Sequence, residues 1–127
     1  MGQFLPADHS KGDANTVGGY AAVHARPPAF EGSDGASYSV EIMTDATGDP
    51  AKPWGGYLLF VRWRQGDPVA SGHVETDYLR YAATEDDVRT EVGAMQRNDA
   101  LAELNRKIEM ESASRPWWEA MNDEGGA

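Results

Sequence analysis

The sequence predicts an α+β domain in which an antiparallel meander of three to four strands is followed by two C-terminal helices packed on one face. Two observations predict this fold. From residue 36 to residue 79, apolar side chains recur at every second position, which is the period of a half-buried strand. From Thr84 onward the apolar spacing changes to that of a helix. Strands first and helices last favour helices that gather on one side of the sheet.

The chain is predicted to comprise a single domain between two tails. Residues 1–16 contain few large apolar side chains, so we expect a mobile N-terminal tail, and residues 123–127 form a flexible C-terminal tail. The single α+β domain then covers residues 17–122. Its first element is predicted to be an edge strand over Val17–Ala25, ended by two prolines, and Glu31–Gly35 is predicted to be a turn.

Two strands follow, over residues 36–44 and 55–64, and a third follows after a two-residue hairpin loop at Gly66-Asp67. The first places Tyr38, Val40 and Ile42 on one face. In the second strand, the odd-numbered residues are more apolar than the even-numbered ones, so we expect the odd-numbered side chains to face the helices. These are Tyr57, Leu59, Val61 and Trp63. Counting back from the hairpin pairs Trp63 with Ala70, Val61 with Gly72, Leu59 with Val74 and Tyr57 with Thr76.

Helical signals begin at Thr84, a good N-cap residue followed by acidic residues in the first turn. Val88, Val92 and Met95 recur at helical spacing and predict a helix over residues 84–96. The apolar phase then shifts, and Asn98-Asp99 resembles a new cap, so a second helix is expected to carry Leu101, Leu104 and Ile108. A further short helix is predicted after Ser114.

Composition excludes several classes of function. The 127 residues include no cysteine, which rules out disulfides and thiolate chemistry and is typical of a cytoplasmic protein. The formal charge of −10 opposes binding to nucleic acid and to anionic lipid. No long apolar run indicates a membrane span, so we expect no membrane association.

The residues best suited to chemistry are His73, Glu75 and Asp77, which alternate on one face of the third strand. His73 and Glu75 are candidates for a general base and its orienting acid, with Arg62 as an anion stabiliser. Asp77 lies too far along the strand to join them. A metal would need a further ligand, such as Glu41 or His24, and we predict neither a metal nor a cofactor.

Large apolar groups outside the expected core are candidates for binding. Leu58 and Phe60 fall on the parity assigned to the polar face, which suggests that another segment, a ligand or a second copy of the chain covers that face. Trp117 and Trp118 are neighbours on a predicted helix, and their side chains diverge by about 100°. One of them is therefore expected to reach a second surface.

Taken together, these patterns predict a cytoplasmic, acidic, non-catalytic interaction or ligand-binding domain, with a homodimer or another protein as partner. Two alternatives stay open. The first is a small hydrolase or isomerase that uses His73 and Glu75. The second is an acidic decoy or inhibitor of a basic partner, which requires the carboxylates to cluster on one face.

Overall fold

The computed structural model describes residues 7–64 and 70–114. These residues form an antiparallel sheet with α-helices before and after it, which confirms the predicted α+β fold. After a short 3-10 helix at His9–Lys11, the elements in chain order are α1 (Val17–His24), β1 (Ala29–Glu31), β2 (Ser37–Ala46), β3 (Trp54–Trp63), β4 (Ala70–Glu75), β5 (Arg80–Ala82), α2 (Glu85–Gly93) and α3 (Arg97–Ser114).

The strands of the sheet lie in the order β1-β2-β3-β4, and the short β5 pairs with the first residues of β3. The predicted turn between β1 and β2 is confirmed: Gly32 N–H donates to the Ala36 carbonyl at 2.8 Å, and Gly35 adopts a φ of 83°. All strand pairs are antiparallel, so the chain forms a meander with β3 near its centre.

The core lies on the side of β3 that carries Leu58 and Phe60, both 0% exposed. Phe60 pairs with Val40, and directly paired residues share a face. A Cβ atom at Gly56 would come within 2.6 Å of Val92 Cγ2, so α2 packs against this same face. The helices pack on one face as predicted, but the face we assigned to them on β3 was wrong.

The physical reason for this error lies in the composition of β3, which has apolar side chains on both faces. Alternation within β3 therefore does not decide which face is covered. The pairing with β2 decides it, since Val40 is 2% exposed and lies opposite Phe60, which is fully buried. We call the other side of the sheet, which carries Tyr57, Leu59, Val61 and Trp63, the open face.

The register between β3 and β4 agrees with the prediction at one pair and then departs from it. Trp63 pairs with Ala70 as expected, but Arg62 pairs with Gly72 and Val61 pairs with His73. A bulge thus inserts one residue into β4 and shifts every later pair by one. The hairpin loop Gly66-Asp67 lies outside the described residues.

The segment predicted as an edge strand over Val17–Ala25 is a helix, α1, so that prediction was wrong. Thr16 is the N-cap, and its side chain accepts a hydrogen bond from Gly19 N–H at 3.0 Å. Gly18 allows close packing on α2, because a Cβ atom there would lie 3.0 Å from the Gly93 Cα. The fourth strand of the meander is β1, which the sequence analysis did not predict.

Residues 7–16 lie against α1 and α3. Asp8 N–H donates to the Val23 carbonyl at 2.9 Å, and the Asn15 carbonyl accepts from Arg97 N–H at 2.7 Å. The mobility of residues 1–16 stays a prediction.

Both C-terminal helices are confirmed. Thr84 caps α2 by accepting a hydrogen bond from Asp87 N–H at 3.1 Å. The second helix begins at Arg97, so Asn98 and Asp99 lie within its first turn rather than before it. The helix predicted after Ser114 lies outside the described residues. In the part of the chain that the structure describes, no helix is both long and apolar enough to cross a bilayer.

Candidate functional site

The open face carries a row of apolar side chains along β3, flanked by polar side chains from the neighbouring strands. Leu59 lies between Glu41 of β2 and Glu75 of β4, so a carboxylate stands on each side of it. Val61 lies in the same way between Ser39 and His73. The open face is therefore apolar along its middle and acidic beside Leu59.

Large aromatic side chains extend this row at both ends of β3. Trp63 is 37% exposed, Tyr78 38% and Tyr81 42%. Among the described residues, one other large apolar side chain is exposed, and it is Met110 of α3, outside the sheet. The Trp63 indole donates a hydrogen bond to Ser39 Oγ at 2.9 Å, which holds its ring across the strands. None of the described helices covers these side chains. Exposed apolar groups gathered on one face are typical of an interaction surface.

Three tyrosines line a recess of about 350 Å³ at the end of the open face where β3 begins. The Tyr57 and Tyr78 ring centroids are 5.9 Å apart at 68°, and those of Tyr78 and Tyr81 are 5.7 Å apart at 60°. Gly55 makes room for the middle ring, since a Cβ atom there would lie 2.5 Å from Tyr78 Cδ1. We call this the tyrosine recess; its lining also includes Asp45, Glu75 and Asp77.

Carboxylates set the electrostatic character of the tyrosine recess. The Tyr78 hydroxyl donates a hydrogen bond to Asp45 Oδ2 at 3.1 Å. Burial raises the pKa of Tyr78, and this hydrogen bond and the Asp45 charge raise it further. Burial followed by the charges of Asp45 and Glu75 also raises the pKa of Tyr57. The carboxylates beside these two hydroxyls disfavour a further anion in the recess.

The residues predicted for catalysis are only partly brought together. His73 Nε2 lies 3.8 Å from Glu75 Oε1 on the open face, with side chains 63% and 53% exposed. Arg62 belongs to the opposite parity of β3, where its Nε lies 3.5 Å from Asp34 Oδ2 and its Nη1 donates to Ser71 Oγ at 3.1 Å. The structure therefore does not assemble His73, Glu75 and Arg62 around one point.

Asp77 follows the end of β4, and Lys107 of α3 lies 3.3 Å from its Oδ1. That Asp77 lies too far from His73 to join it stays a prediction. In residues 7–64 and 70–114, no group of three or more histidines and carboxylates is arranged to hold a metal ion.

The predicted binding residues have different positions. Leu58 and Phe60 lie in the core, packed with residues of the C-terminal helices, so in the described residues the segment that covers them belongs to the chain itself. The side of β3 that we had assigned to the core is partly buried at Tyr57, Leu59 and Val61 and exposed at Trp63. Trp117 and Trp118 lie outside the described residues.

Sequence reasoning missed the tyrosine recess, because two of its rings come from residues beyond the central strands. Tyr78 precedes β5 and Tyr81 lies within it, and β5 pairs with β3 only at the first three residues of that strand. A signal was present in Gly55 and Gly56, since adjacent glycines in a strand often mark a close approach from another side chain.

In comparisons with protein-family models, with curated proteins and with solved structures, no match to this chain was found.

Proposed function

We propose that this chain is a non-catalytic binding protein and that the open face binds a positively charged, partly apolar segment of a partner protein. The observation that carries the proposal is the position of Leu59, a partly buried apolar side chain of the open face that lies between Glu41 and Glu75. An apolar contact supplies affinity, and flanking carboxylates select the charge of the partner. The absence of cysteine agrees with a cytoplasmic setting for this interaction.

Charge complementarity favours a cationic partner over a second copy of the chain. In a face-to-face homodimer, the open face with Glu41, Glu75 and Asp45 would meet the same acidic face of the second copy, and like charges brought together in an interface are unfavourable. The formal charge of −10 adds long-range repulsion between two copies and attraction for a basic partner.

The geometry supports binding better than catalysis. His73 and Glu75 are more than half exposed, whereas general acid–base chemistry normally uses a site from which water is excluded. The decoy hypothesis has less support, because carboxylates also occupy the helices, for example Glu85, Asp86 and Asp87 in the first turn of α2.

The experiment is an NMR titration of the full chain with a peptide of about ten residues in which lysine alternates with leucine. A peptide that alternates glutamate with leucine is the matched probe. We expect the lysine peptide to shift amide resonances of β3 and β4, and the glutamate peptide to leave them unchanged, because the face is acidic beside its apolar row.

Two variants locate the contact. Leu59→Lys places a positive charge in the middle of the open face and is expected to weaken binding about tenfold, which corresponds to about 1.4 kcal/mol. Met110→Lys makes the same kind of change at an exposed position of α3, 49% exposed, and is expected to leave binding unchanged. Equal loss in both variants, or equal binding of the two peptides, would contradict the proposal.

Light scattering of the free protein tests whether a second copy of the chain, instead of a cationic partner, occupies the open face. We expect a monomer. A dimer that Leu59→Lys dissociates would assign the open face to a second copy and would overturn the choice of a cationic partner.

A further inference from the structure

The tyrosine recess already has an ammonium group beside one of its rings. Lys52, in the loop between β2 and β3, places its Nζ 4.8 Å from the centroid of the Tyr81 ring. This distance is within the range in which the negative face of an aromatic ring attracts a cation. The contact shows that the Tyr81 ring accommodates an ammonium group, while Lys52 itself does not line the recess.

Other groups around the recess also favour a positively charged ligand. The Tyr57 and Tyr78 rings stand at 68° to each other, so their faces point in different directions, and both side chains line the cavity of about 350 Å³. The Asp45 and Glu75 carboxylates line the same space. Aromatic faces and carboxylates around a small cavity are complementary to an ammonium group, because both interact favourably with positive charge.

The observed cation does not neutralise these carboxylates. Lys52 makes its ring contact with Tyr81, and Lys107, the other lysine near the recess, makes its ion pair with Asp77. Asp45 accepts a hydrogen bond from a neutral phenol, and Glu75 has the His73 imidazole at 3.8 Å. The recess therefore retains negative charge that a ligand can match.

We propose that the tyrosine recess binds the ammonium group of a lysine side chain from the partner, between the rings of Tyr57, Tyr78 and Tyr81 and beside Asp45 and Glu75. This inference rests on the proposed function, since it names the group of the cationic partner that the open face recognises. Lysine is favoured over arginine because its compact charge fits a small cavity, whereas the planar guanidinium is suited to flat stacking and paired hydrogen bonds.

The test is an NMR titration of the full chain with lysine blocked as N-acetyl and methylamide, and with norleucine blocked in the same way. The two probes share an unbranched aliphatic side chain and differ in the ammonium group. We expect amide shifts around Tyr57, Tyr78 and Tyr81 with the lysine probe and an affinity about tenfold lower for norleucine. Equal affinity of the two probes would overturn the proposal.

Variants of the recess separate its parts. Asp45→Asn keeps an acceptor for the Tyr78 hydroxyl and removes the charge, and Tyr81→Leu keeps apolar bulk and removes the ring. Each is expected to weaken the lysine probe about two- to fivefold, as the loss of one exposed cation contact implies. Asp49→Asn, a charge removal in the neighbouring loop, is the control and is expected to have no effect.

Lys52→Met is expected to raise the affinity for the lysine probe, whereas the other recess variants lower it. Removing the resident ammonium group leaves the Tyr81 ring free of a competing positive charge, so we expect the lysine probe to bind about two- to fivefold more tightly. A folding defect does not produce tighter binding. Weaker binding in Lys52→Met would contradict the proposal.

The failure of this inference is distinguishable from the failure of the proposed function. If the lysine–leucine peptide binds and responds to Leu59→Lys but not to Asp45→Asn or Tyr81→Leu, the open face is a binding surface without an ammonium site. If the blocked lysine binds in the recess but the peptide does not bind, the recess stands and the proposed function fails.

Discussion

At the scale of single residues, the Tyr38 hydroxyl is a part-buried polar group at the edge of the core. Tyr38 is 2% exposed, and its hydroxyl donates a hydrogen bond to Asp34 Oδ2 at 2.8 Å. Burial raises the pKa of Tyr38 to about 12, and the hydrogen bond and charge of Asp34 contribute to the rise. Arg62 approaches the same carboxylate, so the three side chains form one network at the edge of the core.

This network predicts a loss of stability at alkaline pH. The pKa of Tyr38 is raised from 10.0 to about 12 in the folded state, so an unfolded chain loses the proton first. The stabilisation is fully present below pH 10 and is lost as the pH rises toward about 12, by roughly 2 kcal/mol in all. Urea unfolding at a series of alkaline pH values measures it.

Tyr38→Phe removes the titrating group, and the alkaline decline in the free energy of unfolding should become shallower in this variant. Tyr81→Phe, at an exposed tyrosine, is the matched control and should retain the decline of the parent chain. An identical decline in Tyr38→Phe and the parent chain would show that this hydroxyl is not the group responsible.

At the scale of elements, the sequence predicts best where local signals are sufficient. Thr84 with its following acidic residues defines the start of α2 through a cap and the helix dipole, both of which act within one turn. The turn ending at Gly35 is local in the same sense. The start of α1 carries the same kind of cap at Thr16, but the glycines and alanines of that segment give no clear apolar period, and the strand prediction was wrong there.

The cap of α2 supports a specific stability prediction. Thr84→Ala removes the acceptor for Asp87 N–H and should reduce the free energy of unfolding by about 1 kcal/mol. Thr90→Ala makes the same change at an exposed position inside α2 and should be neutral or slightly stabilising, because alanine has the higher helix propensity. Chemical denaturation compares the two. Equal losses would mean that the cap at Thr84 contributes nothing.

At the scale of the whole molecule, the choice of core face was not available from β3 alone. That strand is apolar on both sides, and the deciding information is its pairing with β2, where Val40 lies opposite Phe60. The bulge that sets Val61 opposite His73 is equally non-local, since it depends on the full β3–β4 pairing. The sequence thus predicted the layers, but it interchanged the covered and open sides of β3 and paired His73 and Glu75 with Phe60 and Leu58 instead of Val61 and Leu59.

The candidate site could not be predicted from the sequence for the same reason. The sequence pattern assigned the apolar residues of the open face to the interior, so it did not identify them as candidates for binding. The tyrosine recess needs β5 to bring Tyr81 beside β3, and a three-residue strand leaves little periodic signal. Both the candidate surface and its recess follow from strand pairing rather than from any motif.

The most direct test of the account compares urea unfolding of Leu58→Lys and Leu59→Lys, adjacent leucines with the same substitution on opposite faces of β3. Leu58 is 0% exposed, and an unpaired charge in the core should destabilise the chain by about 3 kcal/mol or more. Leu59 lies on the open face between two glutamates, and its substitution should change the free energy of unfolding by less than about 1 kcal/mol. A folded Leu58→Lys beside an unfolded Leu59→Lys would contradict the assignment of the core and of the binding face together.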